Sequence, residues 1–520
     1  MVSRKTHRQL RNLRALGMER WLIVILAAVC MGWVGLNIFK GYTNSLLQVL
    51  ALSVLAACLY KFPGKALSLS WAFAITWLSV SVWWLYIALH VVGGMPSLLS
   101  ILAIVLLCTG LGIYYAASLK FFIHSHKALN PWLMHALFAS CWTLAELARA
   151  QWFTGFPWSA IGYAHVNSLL SYAAPWVGVY GIGFLAAFAS SWLAIQILSQ
   201  EKSIFLKVKV ALVILLISLP TVREEDTQGR ILKVNLLQAN ISQTTKFNSG
   251  RQQALVWYAE EMQKTQADVT VLPEIAIPYF ENELPAGYWE KIKSKFKDEK
   301  QVALLGIPTL DTDKGYGNSA IGLGFGVERQ YDKYHLVPFG EFTPESMKWF
   351  TSLMVNDMGD FNRGAVKQTP FVWQGHNFSL TICYEDLFGE DIAVRFVETD
   401  KIPTVFVNIS NIAWFGDSMV VNQHLDIARM RSLEFDRPTI RATNTGGTAI
   451  ITAEGRIVQQ LPSFVRGNLQ GQVLSKNGGI TPFAYWAGHW GLMPLWIVCL
   501  FIMGLSLYLK RRADKPKQHL

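Results

Sequence analysis

The chain is short of charge. Only 16% of its 520 residues are Asp, Glu, Lys or Arg, while 52% are hydrophobic and the mean hydropathy is +0.29. Soluble proteins carry about a quarter charged residues, so a wholly water-exposed molecule is excluded. Cysteine is also scarce. Of six, Cys30, Cys58, Cys108, Cys141 and Cys499 lie inside apolar runs, where a small buried thiol is ordinary packing. That leaves Cys383 without a disulfide partner in the polar part of the chain. No His/Cys cluster has metal-ligand spacing, and nothing else calls for a cofactor. No basic patch with interleaved aromatics stands in the polar region, so the net charge of +11 does not signal nucleic-acid binding. Internal repeats and low-complexity tracts are missing too.

What is present is apolar length. A bilayer core of about 30 Å needs roughly 20 apolar residues per helix. Eight runs meet this: 21–38, 44–60, 69–91, 97–119, 132–150, 172–197, 205–222 and 488–509. The first is too long for a cleavable signal peptide and has no small-residue cleavage site. Arg4, Lys5, Arg8, Arg11, Arg14 and Arg20 precede the first run, and Lys510, Arg511, Arg512, Lys515 and Lys517 follow the last. Lys61, Lys65, Lys120, Lys127, Lys202, Lys207 and Lys209 fall in alternate loops on the same side. By the positive-inside rule both termini are expected in the cytoplasm, and the polar segment faces outward from a bacterial inner membrane. The expected organisation is a membrane domain of seven spans over 1–222, a periplasmic domain over 230–475, an eighth span over 488–509 and a basic tail to 520.

Within 230–475, short runs such as RILKVNLLQANI, ADVTVLPE, QVALLGIPTL, NFSLTICYED and PTVFVNISN read as strands buried on both faces. QQALVWYAEEMQKT and MVVNQHLDIARMRSLEF carry helical spacing. The pattern predicts an α/β sandwich, joined to a membrane α-helical bundle.

Three chemistry-bearing residues fall at predicted strand ends: Glu274 in TVLPEIAIP, Lys333 in RQYDKYHLVPFGEF and Cys383 in NFSLTICYED. A thiol at a strand-to-helix turn is expected to gain from the helix N-terminus, which favours thiolate. Burying a carboxylate at the end of an apolar strand is costly without a purpose. Each residue alone is compatible with a plain structural role. All three at strand ends point to a site, since reactive groups gather at strand carboxyl ends in layered α/β proteins.

LPE around Glu274, DKxHLVPFGE around Lys333 and ICYED around Cys383 resemble the Glu–Lys–Cys motifs of the nitrilase superfamily. The downstream NISNIAWFGDSMVVNQHLDIARMRSLEFDRPTIRATNTGG is similar to the same superfamily's C-terminal half. Placed between apolar spans, the whole chain resembles the apolipoprotein N-acyltransferase family. The resemblance implies an αββα sandwich and a ping-pong acyl transfer without cofactor. In it Glu274 acts as general base, Cys383 as thioester nucleophile and Lys333 as the cation beside the oxyanion, with the Tyr384 N–H as second donor. Glu341 would support the lysine, and Tyr384 and Glu385 would shape the pocket. The implied donor is a membrane phospholipid, typically phosphatidylethanolamine, and the acceptor is the α-amino group of an S-diacylglyceryl cysteine that begins an apolipoprotein. The enzyme is expected to be monomeric, because membrane fusion hinders the association common in soluble nitrilases. Two positions depart from the pattern: Ile412 stands where the family often has Asp, and Phe247 where it often has Trp.

Other residues keep two readings. Glu146 and Arg149, one helical turn apart in the fifth run, either neutralise each other or contact a headgroup, and Phe247 is a further candidate substrate contact through its apolar ring. His424, with Asp426, Arg429 and Arg431, lies on a helix and reads as a packing or dimer-type surface. A membrane-anchored amidase or hydrolase, with water as second nucleophile, remains the alternative to acyl transfer, because the same three residues serve both.

Overall fold

The computed structural model describes residues 4–36, 42–199, 229–311, 315–326, 329–343, 360–397 and 401–514, with isolated positions between. The N-terminal part is a helical bundle: α1 (Arg4–Gly32), α2 (Tyr42–Lys61), α3 (Ala66–Ser81), α4 (Ser97–Ser125), α5 (Pro131–Gln151) and α6 (Ala174–Leu198). The polar segment adds α7 (Ser249–Lys264), α8 (Tyr288–Lys295), α9 (Gly389–Ala393) and α10 (Val420–Phe435). The chain closes with α11 (Pro482–Trp490) and α12 (Met493–Asp514), which returns to pack on α5.

Among the described residues, four helices are long and apolar enough to cross a membrane: Asn44–Lys61, Ser97–Ser125, Leu169–Leu198 and Met493–Asp514. Leu106 and Phe501 stand 68% and 67% exposed on two of them, apolar surface that suits lipid rather than water. Eight clear spans are not seen among the described residues, and the differences there have local causes. The run 69–91 is not one helix: α3 ends at Ser81, and Trp84 turns inward so that its indole N–H reaches Gln423 Oε1 at 3.0 Å. The last run splits at Gly491 (φ 56°), leaving α11 against the polar domain and α12 alone as a span. Helix α5 sits in the middle of the bundle and is buried along nearly its whole length. The expected run 205–222 lies almost wholly outside the described residues.

The polar segment is a four-layer sandwich of two six-stranded mixed sheets. The first contains β1 (Arg230–Gln238), β2 (Val269–Val271), β3 (Val302–Asp311), β4 (Gly315–Leu323), β5 (Arg329–Asp332) and β12 (Gly467–Ser475), in the order β12-β1-β2-β3-β4-β5. The second contains β6 (Phe371–Trp373), β7 (His376–Ile382), β8 (Val405–Ser410), β9 (Thr439–Thr443), β10 (Ala449–Ile451) and β11 (Ile457–Gln460), in the order β11-β10-β9-β8-β7-β6. Strands β1, β2 and β3 run parallel, as do β7, β8 and β9, so both faces of these central strands need cover. Val234, Val271, Leu304, Leu380, Ile382 and Val407 fill the space between the sheets. Helices α7 and α8 cover the first sheet through Tyr258, Met262 and Ile292, and Phe396, Phe435 and Phe483 cover the second.

One apolar cluster runs from the bundle into this sandwich. It joins Trp77, Trp142, Trp158 and Tyr180 to Tyr384, Leu387, Phe388, Val420 and Met430. Gln423 on α10 accepts from the indole N–H groups of Trp84 and Trp158 (3.0 and 2.7 Å) and donates to Ser81 O at 3.0 Å. Glu434, also on α10, accepts at 2.7 Å from the N–H of Val179, beside the kink that Gly178 makes in α6 at φ 66°.

Candidate active site

Glu274 leaves the chain three residues beyond β2, Lys333 directly after β5 and Cys383 directly after β7. Because β5 runs in the same direction as β3 across antiparallel β4, all three emerge at strand C-terminal ends. The approach is tight. A Cβ on Gly306 in β3 would stand 2.4 Å from Pro273 O and 2.6 Å from Ile275 N, so only glycine lets the segment bearing Glu274 lie flat on the strand.

Lys333 is the hub. Its Nζ, 1% exposed in side-chain terms, donates to Glu274 Oε1 at 3.0 Å and to Glu341 Oε1 at 2.8 Å. Asn318, in the middle of β4, donates from Nδ2 to the same two oxygens, at 2.7 and 2.8 Å. The second oxygens are held by main-chain N–H groups, Glu274 Oε2 by Asn411 and Glu341 Oε2 by Val337, each at 2.8 Å. Burial opposes the Glu274 charge, but Lys333 and the Asn318 hydrogen bond outweigh it and hold its pKa below the usual carboxylate value. Burial likewise opposes the Lys333 charge, and the two carboxylates overcome it, raising its pKa.

Cys383 occupies a sharp turn at φ 54°, a left-handed conformation that costs a non-glycine residue about 1–2 kcal/mol. The turn is held from several sides. Glu385 accepts from the N–H groups of Ile382 and Tyr334 at 2.7 Å each, from that of His335 at 3.2 Å, and from Tyr331 Oη at 2.8 Å, tying the Cys383 turn to the segment after Lys333. The Tyr384 hydroxyl donates to Gly155 O at 3.1 Å, in the loop after α5. Arg441 donates to His424 Nδ1 at 2.8 Å, so the proton of this imidazole is on Nε2, which donates to Cys383 O at 3.2 Å. His424 is therefore buried and fixed behind the turn, a packing position rather than a dimer-type surface. Burial and the Arg441 charge push its pKa well below the usual value.

The expected lowering of the thiol pKa is reversed. Desolvation, with the charges of Glu274 and Glu341, pushes Cys383 up to about 12 against the pull of Lys333 and Arg441. The helix after Cys383 is a single 3-10 turn, Cys383–Leu387, and supplies too little dipole to offset two carboxylates. The resting pair is thus a thiol and a carboxylate.

The other predicted residues fall apart from this centre. Phe247 is 42% exposed on the loop after β1. Glu146 and Arg149 are buried in the bundle and form no ion pair with each other: Glu146 Oε1 accepts from Ile161 N at 2.8 Å, and Arg149 donates to Phe156 O at 2.8 Å and to Trp158 O. Both hold the loop whose Gly155 meets Tyr384. Ile412 is buried in the shared apolar cluster, where an aspartate would lack water. Asn318 and Lys246, the latter 3% exposed and donating to Glu274 O at 3.1 Å, carried no signal in the sequence, and Arg441 stood only as one letter of the RPTIRATNTGG run. Each stands in a strand or loop where a polar residue is unremarkable.

The N-terminal part, residues 31–192, matches the family described as apolipoprotein N-acyltransferase N-terminal domain, and residues 233–477 match carbon-nitrogen hydrolase. The chain is 41% identical to an apolipoprotein N-acyltransferase of Verminephrobacter eiseniae over 483 residues, covering 86% of this chain and 88% of that protein. It is 36% identical to one of Ralstonia nicotianae over 489 residues, covering 90% of each. A solved CN-hydrolase superfamily protein, XC1258 from Xanthomonas campestris, aligns at 14% identity and TM-score 0.36, covering 51% of this chain and 97% of that one. With both domains matched in order and relatives aligned over most of their length, the chain belongs to the apolipoprotein N-acyltransferase family.

Proposed function

We propose that this acyltransferase moves an acyl chain from a membrane phospholipid, through a thioester on Cys383, to the α-amino group of the S-diacylglyceryl cysteine that begins an apolipoprotein. The observation that carries the reading is the Lys333 ammonium bridging Glu274 and Glu341 beside a thiol set in a left-handed turn. Cys383 Sγ attacks the ester carbonyl while Glu274 takes the thiol proton. With the thiol pKa at about 12, proton transfer and C–S bond formation proceed together rather than through a free thiolate. Lys333 and the Tyr384 N–H face the oxyanion. The C–O bond breaks, and Glu274 returns its proton to the departing lysophospholipid. In the second half the amine attacks the thioester, Glu274 takes one of its protons, and the thiol is restored as the amide leaves.

Phosphatidylethanolamine as donor, a monomeric enzyme and contact of Phe247 with an acyl chain belong to the same reading. So do cytoplasmic termini and a periplasmic domain over 230–475. The membrane domain has a physical purpose: each CH₂ pulled from the bilayer costs about 0.8 kcal/mol, so a site serving two lipids must go to them.

Purified protein incubated with acyl-labelled phospholipid should take up hydroxylamine-sensitive label, and Cys383→Ala should not. A diacylglyceryl peptide should discharge the label as an amide; discharge only as free fatty acid would favour a hydrolase. A wild-type protein that never takes up label would end the thioester reading. A reporter after Leu520 should read as cytoplasmic.

A further inference from the structure

Lys246 is a buried cation outside the glutamate–lysine hub. The loop after β1 that carries it is pinned on both sides. Asn444 accepts from Ile241 N at 3.1 Å and donates to Ile241 O at 2.7 Å, and Asn411 donates to Gln243 Oε1 at 2.7 Å. The same Asn411 gives its main-chain N–H to Glu274, so loop and carboxylate are set by one residue. Phe247 turns outward, 42% exposed, and Lys246 inward, 3% exposed. An ammonium has three N–H donors. Here one reaches the Glu274 carbonyl at 3.1 Å, and no carboxylate pairs with the group among the described residues.

The charge balance gives this placement meaning. Asp386 is matched by Arg441 at 3.2 Å, and Glu385 lies in the field of Arg395. Among the described residues Lys333 is then the one cation ion-paired with Glu274 and Glu341, two negative charges against one positive. As Glu274 takes the thiol proton, the charge it gives up reappears on the tetrahedral oxyanion at Cys383, so the excess negative charge persists and moves towards the sulfur in a largely dry site, where it is expensive at short range. We propose that Lys246 is a second cation of the acyl-transfer site, whose ammonium offsets the negative charge that accumulates at Cys383 as the thioester forms and breaks. The proposal rests on the thioester reading above. Burial holds the Lys246 pKa down to about 8, against the charges of Glu274 and Cys383, so the ammonium is present near neutrality and is lost not far above it.

The test measures the rate of Cys383 acylation by labelled phosphatidylethanolamine in mixed micelles, between pH 6.5 and 9, with no acceptor peptide. Removing one charge-stabilising donor from such a site costs on the order of 100-fold, and Lys246→Met should lose about that much at pH 7. Wild-type acylation should carry a falling limb near pH 8, as Lys246 deprotonates. Lys246→Arg, always charged, should keep most of the rate and lose that limb. A residue that only supports the loop would leave the limb in place. If Lys246→Met acylates at the wild-type rate, or Lys246→Arg retains the wild-type limb, the proposal is overturned while the thioester reading stands. A wild-type enzyme that takes no label overturns both. Should Lys246→Met fail to fold, by its thermal transition, the arginine variant decides alone.

Discussion

Replacing Lys333 with Met separates what the hub does for folding from what it does for chemistry. The substitution keeps the length of the chain but leaves two carboxylates, Glu274 and Glu341, buried around one Asn318 amide with no cation between them. Breaking a buried pair by removing one partner costs about 3–5 kcal/mol. For a unit of 150–250 residues each kcal/mol moves the melting temperature by about 2–4 °C, so the sandwich should melt about 6–20 °C lower at pH 8. The sign with pH follows. In the wild type Lys333 holds the Glu274 pKa down; without it, burial and a like charge raise one carboxyl above its unfolded value. The variant's deficit should therefore be largest at pH 8 and shrink towards pH 5, as the folded state takes up a proton. Thermal unfolding in detergent at the two pH values measures this, and Lys333→Met/Glu341→Gln should recover part of the loss. An unchanged melting temperature at pH 8, or an equal deficit at both pH values, would refute the buried-hub account.

Asn318→Leu removes two hydrogen bonds to carboxylates, each worth about 1.5–3 kcal/mol, and should slow acylation more than it raises the apparent KM for phospholipid, as steady-state kinetics would show. Gly306→Ala should cut the acylation rate by moving Glu274, since the new methyl group meets main-chain atoms at 2.4 and 2.6 Å that cannot yield by side-chain rotation; Gly317→Ala in β4, whose nearest neighbours are the side-chain oxygens of Thr309 and Ser319 at 3.2 and 3.4 Å, should cost much less. Glu434→Leu leaves Arg431 buried without its carboxylate at 2.9 Å and the Val179 N–H without an acceptor. It should lower the thermal transition by about 3–5 kcal/mol equivalent, readable by differential scanning in detergent.

Glu274 and Cys383 were legible because each follows an apolar run at a predicted strand end, Lys333 because it follows the short strand RQYD, and Glu341 because VPFGEF repeats the family pattern. The alternation of strands and helices likewise showed the sandwich. Asn318 was illegible because GYGNSAIGL reads as one more strand, and nothing local says that its amide meets two carboxylates from elsewhere. The thiol pKa was misjudged for a related reason. A helix dipole can be inferred from neighbours in sequence, whereas the opposing charges of Glu274 and Glu341 arrive from residues 109 and 42 positions away. Hydropathy passes smoothly through Trp83 and Trp84, so the break after Ser81 shows only when Gln423 is in view.

The apolar cluster shared by the bundle and the sandwich also bears on when the enzyme is switched on. Tyr384, Leu387 and Phe388, which follow Cys383, pack among the helices of the bundle, and the Tyr384 hydroxyl is tied to Gly155. The clamp on the strained turn at Cys383 therefore includes contacts that only the assembled helices supply. A chain whose polar domain has folded but whose bundle has not would expose these side chains and lack the clamp on its nucleophile. Assembly of the bundle thus completes the packing around the turn that carries Cys383.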